Sequence, residues 1–354
     1  MSEKLEQQLE RWQDASLITD EQSRAIQTFE ASRLNPGSRD TEPFVVFKGL
    51  SEIFISLGLG FFLMGGFMLS FALGGAIETA TPIVLGALSL FLARFYYNNR
   101  KMVFPGIVLT LLYSFFVSAA VMRFGFLEEA LHTPVLYKSD LLLYVKFIVL
   151  AYTALGLILL HYHLTRIPFS VVPIAAAGLV ALSVTFNGFL IVIDAAESFP
   201  FREDLYIAII GLAALFFGIL NDVRDPKRET APSRLAFWCH VIAAPALVHT
   251  IALDLAGASL EGMLWAVVVL SLAFLLSLIM DRKSFLTSAM IYFVSVLGTT
   301  LEGATDLATT GSLIAVFLIG IAVIVMGTWW IEIRKTLMQR LPDFPLKDKM
   351  PAWQ

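Results

Sequence analysis

The sequence predicts an all-α polytopic transmembrane bundle of about ten spans with both termini cytoplasmic. Three observations carry that expectation. The 354 residues are 57% hydrophobic and 15% charged, with a mean hydropathy of +0.76, whereas soluble domains carry about 25% charged residues. Apolar runs of the length a spanning helix needs, about 17–25 residues, recur along the chain. Lysine and arginine fall almost wholly in alternate connections between those runs.

Residues 1–45 form a separate polar segment. Leu5, Leu9 and Trp12 fall at i, i+4 and i+7 and line one face of a short amphipathic helix. Leu17-Ile18 makes a turn. Thr19 then reads as an N-cap with Gln22 three residues on, the capping-box arrangement. Ile18, Gln22, Ala25, Ile26 and Phe29 define a second helical face, and Asn35-Pro-Gly-Ser38 ends it as a linker. Chains below roughly 40 residues rarely bury enough to stand alone. Leu5, Leu9, Trp12, Ile18, Ile26 and Phe29 are therefore candidate partner-binding residues, meeting a second copy of the chain, the membrane-facing loops or a cytoplasmic protein. The first apolar run begins only near Ile53, so it reads as an uncleaved signal anchor.

Residues 46–331 form the bundle, in contact with the lipid bilayer, with spans expected near 52–77, 80–97, 102–122, 141–162, 169–193, 205–221, 235–255, 261–280, 285–301 and 310–331. The unit that recurs is clearest around Leu205–Leu220 and Leu235–Leu255, apolar runs joined by a turn with Arg224, Lys227, Arg228 and Arg234. With the N-terminus inside, 21 of the 25 Lys and Arg lie in cytoplasmic segments, as the positive-inside rule requires. Arg123, Lys138 and Arg202 lie outside, and Lys146 lies within a span. Residues 332–354 are a basic cytoplasmic tail. Trp238, Trp265, Trp329 and Trp330 sit at span ends, where an interfacial belt is expected.

Spans two–three, four–five, six–seven and eight–nine each read as one hairpin with its turn inside. The turns Tyr96–Phe104 and Ile279–Phe285 look alike, which suggests repeated hairpins. Two inverted halves of five spans are the rival arrangement.

Soluble catalytic signatures are absent: there is no H-E-x-x-H, G-x-S-x-G, P-loop or C-x-x-C. The single cysteine, Cys239, excludes an intramolecular disulfide framework and a multi-cysteine zinc site. A net charge of −4 points to no nucleic-acid partner. No catalytic, cofactor-binding or metal residue is assigned, no cofactor is expected, and the chain is not expected to be an enzyme.

Ionisable groups inside spans cost about 2.5–3.5 kcal/mol at a helix centre, so they mark candidate sites. His240, His249, Lys146, Asn187 and Asp194 form the candidate intramembrane polar set. His240 and His249 lie nine residues apart, on opposite faces of an ideal helix unless Pro245 distorts it. Lys146 either snorkels to the interface or pairs with Asp194 or Glu302. Asn187 and Asp194 share one face. His161 and His163 are expected at the interface beside Arg166. Gly66, Ser70 and Gly74 form a candidate helix-packing stripe, since small residues let helices approach closely in lipid.

The helical pair Arg11-Trp-Gln-Asp-Ala-Ser-Leu-Ile-Thr-Asp-Glu-Gln-Ser-Arg-Ala-Ile26, followed by many spans, ends in Met326-Gly-Thr-Trp-Trp-Ile-Glu-Ile-Arg-Lys and Leu341-Pro. This layout resembles a family of predicted bacterial multi-spanning membrane proteins of unknown function with an N-terminal cytoplasmic helical pair. The resemblance implies a bacterial inner (plasma) membrane and brings no catalytic residue with it. Two classes of function remain. Ten spans and repeated hairpins favour a transporter-like protein for a small solute or ion. The scarcity of charge within the spans favours a non-enzymatic scaffold or sensor that binds a cytoplasmic partner through residues 1–45. The first is the expectation.

Overall fold

The computed structural model describes residues 3–34, 49–125, 140–193, 202–226, 228, 230–256, 268, 271–272, 274–284, 317, 320–321, 324–325, 328–343 and 347–350. Among the described residues all regular structure is helical, and seven helices are long and apolar enough to cross a membrane. The chain is an integral, multi-pass membrane protein. The expected span at 285–301, half of that at 261–280 and most of that at 310–331 lie outside the described residues.

The N-terminal pair is α1 (Glu3–Asp14) and α2 (Asp20–Leu34). The capping box forms as the sequence implies: the Gln22 amide N–H donates to Thr19 Oγ1 at 3.2 Å, and the Thr19 N–H donates to Gln22 Oε1 at 2.9 Å. Gln13 Nε2 donates to Asp20 Oδ1 at 2.9 Å and ties the two helices together.

The first two spans are α3 (Leu50–Leu73) and α4 (Gly75–Ala93), the latter extended by a π-helical turn, Arg94–Asn99. Only Gly74 separates them, and Gly74 and Gly75 both have positive φ, 65° and 59°. A side chain adopts that conformation only with strain, so glycine permits the abrupt reversal. The expected first span ran to residue 77; the structure corrects this, placing Gly74 at the joint between two spans.

α5 (Val103–Gly125), α6 (Asp140–Thr165), a 3₁₀ turn at Pro168–Ser170, α7 (Val171–Val192), α8 (Arg202–Arg224) and α9 (Ala231–Ala256) follow. α4 packs chiefly on α5, α6 on α7, and α8 on α9, so spans two to seven associate as consecutive hairpins. A buried apolar cluster of Leu63, Phe67, Leu85, Leu109, Phe116, Ile167 and Phe169 joins α3, α4 and α5 to the 3₁₀ turn. Many other large apolar side chains face outward, Phe61 and Phe54 among them, which suits helices with lipid as solvent.

The hairpin turns gather at one end of the bundle, called here the basic end. Phe169 and Trp238 stack edge to face at 4.8 Å between ring centres, joining the turn before α7 to the start of α9. There the Glu52 carboxylate of α3 accepts from the Phe104 N–H at 3.1 Å, satisfying a free donor in the first turn of α5. At the opposite end Arg123 pairs with Glu78 at 2.5 Å.

The four turns of this end share a backbone feature. Lys101, Arg166, Arg228 and Asp281 all have positive φ, between 53° and 57°. Helices commonly end on one left-handed residue, usually glycine. Here each turn uses a charged residue instead. The C-terminal helix α10 (Trp330–Arg340) begins after a break at Trp329, whose φ of −111° and ψ of 26° are not helical.

A buried ionic cluster at the basic end

Asp222 and Asn221 lie in the last turn of α8, and the chain from Asp225 to Thr230 returns to start α9. Asp225 organises that return. Its Oδ2 accepts from the Thr230 N–H at 2.8 Å and from Thr230 Oγ1 at 2.7 Å. This turn carries α9 back along α8, which places His240 beside Asp222: His240 Nε2 lies 2.8 Å from Asp222 Oδ2. His240 is fully buried. The approach is close because Gly218 faces the imidazole. A Cβ there would lie 2.7 Å from His240 Cε1.

The third member comes from far along the chain. Arg282 donates through Nη2 to Asp222 Oδ1 and through Nε to Asp222 Oδ2 at 3.3 Å, and Nη2 also reaches the Ser233 carbonyl at 3.3 Å. A fork of this kind is the strong form of a charge-assisted hydrogen bond. Arg282 itself is 2% exposed. A buried carboxylate without such partners would cost several kcal/mol.

What aims Arg282 is the turn it sits in. The Arg282 N–H donates to the Ser277 carbonyl at 2.9 Å, and the Asp281 N–H to the Leu278 carbonyl at 3.3 Å. That pair of bonds, around a left-handed residue, is a Schellman helix terminus. Ser277 Oγ donates to the Arg282 carbonyl at 2.6 Å and tightens it further.

Asp281 occupies the left-handed position and uses its side chain to collect a second set of partners. Trp330 Nε1 donates to Asp281 Oδ1 at 2.8 Å. Arg228 Nη1 donates to the Asp281 carbonyl at 2.9 Å and lies 3.4 Å from Oδ2, and its Nη2 donates to the Met280 carbonyl at 2.7 Å. Arg334 Nε donates to the Leu278 carbonyl at 3.0 Å and lies 3.8 Å from Asp281 Oδ1. Burial pulls the Arg334 guanidinium below its ordinary pKa, and the Asp281 charge works against that shift. Two carboxylates, three guanidiniums and one imidazole are thus buried together.

The sequence reading missed most of this cluster. Arg228, Arg282 and Arg334 count there as topological basic residues, and charge within the bundle is expected to be scarce. The residues of the cluster are recognised only through the pairing of Asp222 with Arg282 and of Asp281 with Arg334. Those partners are 60 and 53 residues apart, beyond the reach of any local pattern.

The sequence-assigned residues scatter. His240 enters the cluster. The His249 side chain and Asp194 lie outside the described residues, and so do Lys146's suggested partners Asp194 and Glu302. Lys146 is half-buried in α6 with its Nζ shielded from solvent. Asn187 turns back on its own helix, donating Nδ2 to the Ser183 carbonyl at 2.8 Å. His161 departs from its expected interfacial position: it is fully buried, stacked on Tyr113 at 4.6 Å, while His163 is exposed. Trp330 is likewise buried where a lipid-facing belt was expected, and Trp329 is 50% exposed. Trp265 lies outside the described residues.

The packing stripe also lies elsewhere. Among the described residues nothing from another helix comes within 4 Å of a Cβ built on Gly66 or Gly74, and buried Ser70 bonds the Phe67 carbonyl of its own helix at 2.7 Å. Close approach occurs instead between α8 and α9, where Gly211, Ala214 and Gly218 face Ala243, Ala244, Ala246 and His240. In the N-terminal pair Leu9 is buried, Ile18 and Ile26 are half-buried and Trp12 is 39% exposed. The Leu5 and Phe29 side chains lie outside the described residues.

Among the described residues no three His, Cys, Asp or Glu side chains converge as a metal site. No family model, no curated protein and no solved structure matches this chain.

Proposed function

We propose that this chain is a transporter-like protein of a bacterial inner membrane, moving a small solute or ion, with its basic end and both termini cytoplasmic. One observation supports the reading: Asp222, His240 and Arg282 are buried together where α8 and α9 meet the turn at 281–284. Scarcity of buried charge weighs against transport, and this cluster supplies buried charge. A carboxylate inside a bundle is expensive and is commonly found on ion and proton paths. His240 and Asp222 share a hydrogen bond that can relay a proton, and Arg282 balances the carboxylate charge. The basic residues that crowd this end fit a cytoplasmic assignment.

Aqueous access tests the reading. In a Cys239→Ala background, single cysteines at Asn187, Lys146, His249 and Ala243 are exposed to a membrane-impermeant thiol reagent in intact cells and inverted vesicles. Transport requires labelling of at least one of these positions, with a sidedness that reports which way the cavity opens. If none reacts while loop cysteines do, the transport reading is wrong.

The scaffold or sensor reading keeps one specific observation. Leu17 is 71% exposed beside the exposed Trp12, on a pair of helices with its own capping box. A photo-crosslinker at Leu17 that yields one discrete adduct in cells, lost on Trp12→Glu, would favour it.

A further inference from the structure

We propose that α10 is a latch: by holding Asp281 it keeps Arg282 seated on Asp222 and closes the ionic cluster from the basic end. The gating role rests on the transport reading above; the mechanical coupling does not.

The coupling follows from adjacency. Asp281 and Arg282 are consecutive, and one left-handed turn sets the direction of both side chains. The Asp281 carboxylate faces Trp330 and Arg334 of α10, while the Arg282 guanidinium faces Asp222 on α8. Ser277 clamps the backbone between them through both its carbonyl and its hydroxyl. A charged residue in a left-handed conformation is disfavoured relative to glycine. Asp281 keeps it because its carboxylate has partners on two elements, Arg228 from the turn before α9 and Trp330 with Arg334 from α10. When α10 leaves, a carboxylate whose side chain is only 6% exposed loses its indole and one guanidinium. The turn then has reason to relax, and Arg282 with it.

The latch is built to detach. α10 is buried along one narrow stripe, Trp330, Arg334 and Met338, spaced four residues apart. Glu332, Lys335, Thr336, Gln339 and Arg340 are exposed. Trp329, just before it, departs from helical φ and ψ, while its N–H bonds the Val325 carbonyl and its carbonyl accepts from the Ile333 N–H, both at 2.9 Å, so the chain changes direction there. Lys283 Nζ lies 6.0 Å from the centre of the Trp330 ring and adds a contact on the same side.

Cys239 reports the state of the latch. It is 2% exposed and directly precedes His240, the cluster's imidazole, in α9. The experiment measures maleimide labelling of native Cys239 in inverted vesicles, for the wild type and for Asp281→Asn, Trp330→Phe, Arg334→Ala and Lys335→Ala. The three latch variants should label at least tenfold faster than wild type, and Lys335→Ala at the wild-type rate. Asp281→Asn conserves volume and Trp330→Phe keeps an aromatic ring while removing the indole N–H, so they carry the test should Arg334→Ala fail to fold; cooperative melting with unchanged helix content certifies folding. Wild-type labelling rates in both folded variants overturn the latch, as does rapid labelling of the wild type itself. Mid-span cysteines that label in the wild type but ignore the latch variants would remove the gating role and leave transport standing. Faster Cys239 labelling with unreactive mid-span positions would do the reverse.

Discussion

Arg228 and Asp281 meet across two turns, each in the left-handed backbone region, with φ of 56° and 53°. Arg228 reaches the Asp281 carbonyl at 2.9 Å and its carboxylate at 3.4 Å, and both side chains are nearly buried. The two turns are thereby stapled, and the hairpin of α8 and α9 is joined to the segment ending at Met280. Arg228→Ala leaves two carbonyls and part of a carboxylate unmet, and removing one partner of a buried charge pair costs about 3–5 kcal/mol. Arg166 also has positive φ but is exposed, so Arg166→Ala should stay within about 0.5 kcal/mol. Reversible denaturation in mixed micelles compares the two.

The Asp222–Arg282 pair should be strongly non-additive. Asp222→Leu or Arg282→Met alone strands a buried charge and is expected to cost about 3–5 kcal/mol. The double variant strands neither, and its loss should fall short of the sum by about 0.5–3 kcal/mol or more. Additive losses would mean that the two side chains do not act as a pair. The same unfolding assay, run as a double-mutant cycle, measures this.

Glycine substitutions separate the observed packing seam from the expected one. Gly218→Ala puts a methyl 2.7 Å from His240 Cε1, and overpacking of that kind costs about 1–3 kcal/mol. Gly66→Ala meets nothing within 4 Å among the described residues and gains helix propensity of up to about 1 kcal/mol. Thermal midpoints of the purified variants should therefore move in opposite directions. Equal losses at both positions would contradict the seam between α8 and α9.

The carboxylates at the two ends should differ in weight. Glu52 is 3% exposed and bonds the first turn of α5, a placement worth up to about 2 kcal/mol when partly buried. Glu78 and Arg123 have side chains 28% and 27% exposed, and pairs open to solvent contribute about 0–1 kcal/mol. Glu52→Ala should lower stability more than Glu78→Ala in the same detergent, and raised salt should erase only the second effect. A Glu78→Ala loss as large as that of Glu52→Ala would show the opposite pair to be the stronger.

Several elements were legible in the residues because their causes are local. The capping box of Thr19 and Gln22 lies within four residues, and it forms. The apolar runs give α3 to α9 within a few residues of their observed ends, since backbone groups in hydrocarbon must bond within their own helix. The end of α3 was misplaced because Ala76 and Ile77 continue the apolar run, and hydropathy does not register that Gly74 and Gly75 reverse the chain. His240 was found as a polar group in a span. Its partners were not, because Arg282 reads locally as one more cytoplasmic charge.

The sequence by itself determined that this is a helical membrane protein and where the seven apolar helices seen among the described residues lie. Those properties depend on hydrophobicity, on charge distribution and on contacts a few residues apart. Only the tertiary structure decided which charges are buried. Whether an arginine faces water or a carboxylate depends on what packs over it, and here the partners Asp222 and Arg282, or Asp281 and Trp330, are separated by 60 and 49 residues. Such pairs cost too much to bury singly and are tolerated only together, so their roles emerge when the chain has folded.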